Sequence, residues 1–271
     1  MYRKLLNRII EEDDTKTAFE ILTWLLYAQR PLKTEELSEI LVIEPRDTHL
    51  SDPTSPRDIV ECCRGLVVWE RASDTIRFTH ETVKEFLKRL DSSLSPDKKA
   101  LFLTSADIAL RCLTYLNFDI FEDFREDETF VIDRMNRFKF SKYAAQFWAV
   151  HTRGKAEESE EVQCAVLRLL ESENKKKSML QIAGFTRSRF GRITLTKGQT
   201  PLHIIAEEGL TAICGIFLTG HTCIDRKYSL FTGLVNKKCP ECPGLVLPES
   251  RHIGGGPGRT YPTAFSRVER T

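Results

Sequence analysis

Apolar residues recur at Ala18, Ile21, Leu22, Leu25 and Leu26, a spacing of i, i+3, i+4, i+7 and i+8 that places five side chains on one helix face. Asp14 stands where a cap for the first turn is expected, and Pro31 forbids continuation. Thr34 opens a second predicted helix carrying Leu37, Ile40 and Leu41. A connection punctuated by Pro45, Pro53 and Pro56 leads to a third, with Ile59, Val60 and Cys63. The period then changes from helical to alternating. Leu66 and Val68 follow Gly65, and Ile76 and Phe78 follow a Ser73-Asp74 turn, which predicts a short hairpin. Thr82-x-x-Glu85 has the form of a capping box, and Val83, Phe86, Leu87 and Leu90 form the apolar stripe of a closing helix. Three helices, a two-stranded wing and a further helix predict a winged-helix domain over residues 1–95.

Residues 96–183 read as helical throughout. Ile108, Leu110, Cys112, Leu113 and Leu116 mark one helix, and Phe138, Phe140, Tyr143, Ala144, Phe147 and Trp148 a second. Val162, Val166, Leu167, Leu169 and Leu170 mark a third. The aromatic concentration at 138–148 predicts a packed helix interface, with a stacking surface for a ligand as the alternative. Asp119–Arg134 holds seven acids and two bases and reads as a solvated acidic loop. Residues 231–271 contain 5 of the 11 Pro and 6 of the 14 Gly, so the ordered part is expected to end near Leu230.

Composition narrows the function classes. The 271 residues carry 40 Lys+Arg against 39 Asp+Glu, a net charge of +1, which argues against binding nucleic acid or anionic membrane through bulk charge. No apolar run approaches the ~20 residues of a membrane helix, and the start shows no secretory signal. Eight cysteines without a signal read as intracellular thiols, in a cytoplasmic protein. Residues 1–95 alone hold 14 Lys+Arg and 18 Asp+Glu, and the predicted groove-facing helix carries Glu35, Glu36 and Glu39, which phosphates would repel.

Three stretches carry a family resemblance: Ile21–Leu32 followed by Glu35-Glu36-Leu37, Ile59–Val68, and Ile76–Leu87. Together they resemble the GPI-inositol-deacylase-type winged helix, which in large fungal proteins of the STAND type follows a NACHT nucleotide-binding domain. Cys112–Phe118 and Phe140–Trp148 are similar to the segment between that winged helix and an ankyrin array, and Gly198–Gly209 resembles an ankyrin repeat. The resemblance covers roughly residues 1–226. It implies a mainly α chain: a winged helix, a helical connector over 96–197, one degenerate ankyrin repeat over 198–226 and an irregular tail over 227–271. The repeat has its own logic. Pro201 suits a first helical position, Thr200 and His203 can bond locally, Ala206 allows close helix approach and Gly209 permits a tight turn. Gly215 and His221 depart from the pattern, and no convincing second repeat follows, so the chain looks like the middle of a longer architecture.

Candidate chemistry is sparse. The glycine run Gly254–Thr260 lacks the first Gly and the Lys of a phosphate loop, and neither a Gly-x-Ser-x-Gly elbow nor a His-Glu-x-x-His pair occurs. The expectation is a non-enzymatic chain with no cofactor. In NACHT-type switch proteins the winged-helix His at the position of His80 contacts ADP, so the resemblance implies a vestigial contact there. The alternative is a partly buried imidazole bonded to a nearby carbonyl. Cys239 and Cys242, with His221 and Cys223, have the composition of a zinc site, though His-x-Cys is a poor second half and unpaired thiols are the competing reading. Cys62, Cys63, Cys112 and Cys164 read as small core residues. Interaction is expected through Leu202, Ile213 and Phe217, with other proteins or by self-association. A zinc-binding or DNA-associated adaptor is the alternative function.

Overall fold

The computed structural model describes residues 2–11, 14–93, 101–187 and 199–219. Two helices open the fold, α1 (Tyr2–Ile10) and α2 (Thr15–Tyr27), followed by strand β1 (Leu32–Lys33) and helices α3 (Thr34–Ile40) and α4 (Pro56–Cys62). Strands β2 (Val67–Glu70) and β3 (Thr75–Phe78) form the wing, and α5 (Glu81–Ser93) closes the winged helix. The helical region follows as α6 (Ser105–Leu116), α7 (Glu128–Arg137), α8 (Ser141–Thr152), α9 (Glu160–Glu171) and α10 (Glu173–Arg187), with 3₁₀ turns at Asp119–Glu122 and Gly154–Glu158. A helical hairpin, α11 (Pro201–Glu207) and α12 (Thr211–Thr219), is the last described element. The fold is thus mainly helical with one small sheet, in agreement with the sequence pattern.

The sheet has three strands in the order β1-β3-β2, all antiparallel. Two-residue β1 is too short to leave an alternating pattern, so the sequence showed only the wing hairpin. The phase of the wing is also one residue later than its alternation suggested. Val67 pairs with Phe78 and Trp69 with Ile76, whereas Val68 lies opposite the exposed Arg77. The reason is the left-handed pair Arg64 (φ 47°) and Gly65 (φ 83°), which turns the chain so that buried Leu66 packs before the strand begins.

Other local expectations shift for equally local reasons. Asp14 occupies the cap position of α2, but its side chain makes no capping bond. The segment 119–134 is not a solvated loop. Phe121, Val131 and Arg134 are buried, and Arg134 donates to Ser178 Oγ (3.0 Å) and to the Asp123 carbonyl while lying over Phe121 and Phe130. The seven acids occupy the outer face of elements whose inner face is apolar. Helix α10, rich in Lys, begins within the stretch that the sequence predicts as helical. It buries Met179, Ile182 and Ala183, and aliphatic stems carry Lys175 and Lys176 inward.

One continuous core runs from Leu6 to Ile213, without a break between winged helix and helical region. Its centre is aromatic. Trp24 lies edge-on to Phe140 (5.8 Å), Tyr143 (6.0 Å) and His151 (6.0 Å), and Tyr115 meets Phe140 at 5.2 Å. Phe140, Tyr143 and Trp148 are buried, so the aromatics of 138–148 are a packed interface, as the sequence favoured, and not a free stacking surface. Cys62, Cys63 and Cys112 are buried free thiols; Cys164, read as a core thiol, is half-buried and disulfide-bonded.

Candidate functional site

Short helices are poor in internal hydrogen bonds, because each end leaves four backbone groups without helical partners. α3 has seven residues and α8 twelve, and both end inside the protein. Their termini are satisfied by buried charged side chains from the neighbouring unit, and this defines the junction.

Arg111 on α6 donates through Nη1 to the carbonyls of Ile40 and Ile43, both at 2.8 Å, and through Nη2 to Glu20 Oε1 at 2.9 Å. One guanidinium therefore closes the C-terminus of α3 and pairs with a carboxylate of α2, with both side chains under 10% exposed. In the opposite direction, Glu39 of α3 accepts from the backbone N–H groups of Lys139 (3.0 Å) and Phe140 (2.9 Å), at the N-terminus of α8. It also accepts the Tyr115 hydroxyl at 2.5 Å. The positive end of α8 thus receives a carboxylate, and the negative end of α3 a guanidinium. Desolvation pushes the Glu20 and Glu39 carboxyls above their usual range, against the pull of Arg111 on the first and of the Phe140 N–H on the second.

A second strand of the junction starts at Glu36. It takes both Arg30 Nη atoms (2.6 and 2.7 Å) and the Lys33 N–H (2.9 Å), and Arg30 lies 5.2 Å over the Tyr143 ring. The Gln29 N–H donates to the Tyr143 oxygen (3.0 Å), which is 2.8 Å from His151 Nε2. Burial holds His151 down to about 4 and raises Tyr143, which fits the phenol donating to a neutral imidazole. Thr23 Oγ1 accepts from the Leu103 N–H and the Thr48 carbonyl from the Asp119 N–H, adding two further ties.

The same device recurs at the C-terminal hairpin. Arg153 donates through Nε to the Glu208 carbonyl, at the end of α11 (2.6 Å), and pairs with the Glu208 carboxylate (3.3 Å). Glu157, 3% exposed, accepts from the Gly154 N–H at 3.0 Å and from the Ala212 N–H, in the first turn of α12, at 2.9 Å. A cation meets one helix end and an anion the next, on either side of the turn at Gly209, whose φ of 68° suits glycine. Within the hairpin, Thr200 and His203 make the local bonds expected of them: Thr200 Oγ1 accepts from the His203 N–H, and His203 Nδ1 from the Thr200 N–H (3.3 Å). Ile204, Ile205, Leu210 and Ile213 are buried, Leu202 and Phe217 half-buried, and Leu218 exposed. Ala206, expected at the helix contact, is instead exposed.

The remaining candidates separate from this junction. His80 is exposed and is not bonded to a carbonyl through its ring. Its Nδ1 accepts the Thr82 N–H (3.2 Å) and lies 2.8 Å from Thr82 Oγ1, so it caps α5 two residues before the capping box read at Thr82. Glu36 and Glu39 do not face a groove; they are bound inside the junction, and the helix immediately before the wing is α4, with Arg57 set against Asp58 and Glu61. His221, Cys223, Cys239 and Cys242 lie outside the described residues. Among the described residues no group of three or more His, Cys, Asp or Glu side chains could hold a metal ion, and no helix is long and apolar enough to cross a membrane. Sequence reading missed Glu39, Arg111 and Glu157 as a set. The only signal available was a charged residue inside an apolar stripe, such as Arg111 between Leu110 and Cys112.

The depressed His151 gives a direct pH prediction. Its folded value lies near 4 and its ordinary value is 6.5, so between these the unfolded chain takes up a proton that the folded chain refuses. Its contribution is fully present above pH 6.5 and is lost as pH falls toward 4, by up to about 3 kcal/mol. The raised Glu20 and Glu39 act with opposite sign, so the quantity to follow is the difference between the protein and His151→Gln. Urea unfolding from pH 7 to pH 4 should show that difference shrinking; a constant difference would mean His151 is not buried neutral.

Residues 7–97 match the family model described as the GPI inositol-deacylase, winged helix domain. No curated protein and no solved structure matches the chain.

Proposed function

We propose that this chain is a non-enzymatic regulatory and protein-interaction unit, in which a winged helix is coupled through a charged, buried junction to a helical region that presents a docking hairpin. In this reading the winged helix receives a conformational signal, in the resembling architecture from a NACHT nucleotide-binding domain. The hairpin is the first unit of an ankyrin-type stack that contacts other proteins in the cytoplasm. The observation that carries it is the capping of α11 and α12 by Arg153 and Glu157, which fixes the hairpin to the helical region as a repeat is fixed to its neighbour. The Thr200-Pro201-Leu202-His203 start, with its reciprocal bonds, supports the ankyrin reading. The balance of Arg57 against Asp58 and Glu61 on α4 supports a role without nucleic acid.

The test is to replace the chain after residue 226 by two consensus ankyrin repeats and a capping repeat. A stack grown on the native hairpin gains a nearest-neighbour interface, so hydrogen exchange of the α11 and α12 amides should slow, and Glu157→Ala should reverse part of the gain. Appended repeats that melt independently, with unchanged exchange in the hairpin, would sink the reading. Calorimetry with ATP should show no binding to the chain as it stands, since no phosphate loop is recognisable in its sequence.

A further inference from the structure

Cys62 and Cys63 sit at the exit of α4, with Sγ atoms 3.9 Å apart. Neighbouring helical positions diverge by roughly 100° around the axis, so two adjacent thiols normally point apart. Here Cys63 is the C-cap residue (φ −83°, ψ 2°) and the next two residues are left-handed, so the backbone leaves the helix and the sulfurs converge. Direct oxidation suits this pair badly. Consecutive Cα atoms lie about 3.8 Å apart across a trans peptide, closer than the ~4.4–6.8 Å of unstrained disulfides. A single atom that bonds both sulfurs avoids that strain.

We propose that Cys62 and Cys63 form a two-thiol clamp for a thiophilic trivalent centre of the organoarsenical type, held at the turn between α4 and the wing. Both thiols are buried; Cys62, at 8% exposure against 0% for Cys63, is the more accessible and is the first to react. The hydrogen bond from Cys63 holds the Cys62 thiol below its usual range, while the same bond pushes Cys63 up, so Cys63 keeps its proton until the second step. With an arsenic(III) oxide R–As=O, the Cys62 sulfur forms the first As–S bond and its proton passes to the arsenic-bound oxygen. The Cys63 sulfur then forms the second As–S bond, its proton joins the same oxygen, and water leaves. Two S–H bonds and the As–O link are exchanged for two As–S bonds and water, with no change of oxidation state. The site is coupled to the wing, because the Leu66 N–H donates to the Cys63 carbonyl (3.0 Å) and the Thr79 N–H to the Leu66 carbonyl (3.0 Å).

The experiment treats the full-length chain with phenylarsine oxide and reads intact mass under native conditions. Cys239→Ser and Cys242→Ser form the background, because that Cys-x-x-Cys pair could itself take an arsenical. The expected result is one phenylarsine per chain that survives excess monothiol, is removed by a dithiol, and maps to the peptide containing residues 62 and 63. Cys62→Ala, and separately Cys63→Ala, should abolish the monothiol-resistant adduct. An adduct formed only after urea unfolding, or one that persists with monothiol resistance in either variant, would overturn the proposal. The comparison of native and urea-treated wild type needs no variant, so it decides the matter even where Cys63→Ala fails to fold.

Discussion

Arg111→Ala should destabilise the protein by about 3–5 kcal/mol, because it leaves a buried partner charge without compensation. Three acceptors lose their donor at once: the Glu20 carboxylate and the carbonyls of Ile40 and Ile43. The loss should be read by urea unfolding at pH 7, followed both by tryptophan fluorescence, since Trp24 lies in the adjoining core, and by circular dichroism. The charge origin of the effect is separable from volume. Adding Glu20→Gln to Arg111→Ala removes the orphaned carboxylate and should recover part of the loss, whereas Glu20→Gln alone should cost less than Arg111→Ala. A single Arg111→Ala change that costs under about 1 kcal/mol would place Arg111 among the weakly contributing surface ion pairs and remove the junction's C-terminal cap.

Glu39→Ala is the second large effect, at about 3 kcal/mol or more. It strands the Tyr115 hydroxyl and the N–H groups of Lys139 and Phe140 in the interior, and each unsatisfied donor costs about 1–3 kcal/mol, less whatever water recovers. Graded substitutions identify the cause. Glu39→Gln keeps one acceptor oxygen but turns an amide N–H₂ toward the other donor, and should fall between wild type and Ala. Tyr115→Phe removes one donor while leaving the cap on α8 intact, and should cost about 1 kcal/mol. If the carboxylate caps α8, the amides at the start of that helix will exchange faster in Glu39→Ala and Glu39→Gln, but not in Tyr115→Phe. Equal exchange in all three would show that Glu39 serves the phenol alone.

These two side chains explain why the winged helix and the helical region share one core. If the winged helix stood alone, the C-terminus of α3 would lose the Arg111 donor and Glu39 its three partners, while its N-terminus would keep the Lys33–Glu36 and Thr34–Asp74 bonds. In the folded chain the same helix becomes a connector: its C-terminal end is closed by Arg111, and Glu39, one residue before that end, closes the N-terminus of α8. α3 is thereby tied to α6 and α8 by charged and hydrogen-bonded contacts that have few alternative partners in the interior.

What the sequence determined by itself was the set of periods. The i, i+3, i+4 spacing of Ala18–Leu26, the Pro residues at 31, 53 and 56, the alternation around Gly65 and the Thr200–His203 start each depend on residues within a few positions of one another. Local sterics and local hydrogen bonds therefore suffice to fix them, and the winged helix and the hairpin were legible for that reason. Only the tertiary structure decided which charges are inside. Glu35 and Glu39 look alike in the sequence, yet Glu35 pairs with Lys139 at the surface (3.1 Å) while Glu39 is enclosed by groups 76–101 residues away. The same holds for Arg153 and Glu157, which reach 55 residues to the hairpin, whereas the exposed His80 bonds only two residues along its own chain, to Thr82. A carboxylate or guanidinium is buried only where distant backbone ends converge to satisfy it, and that convergence is a property of the packed chain, not of any window along it.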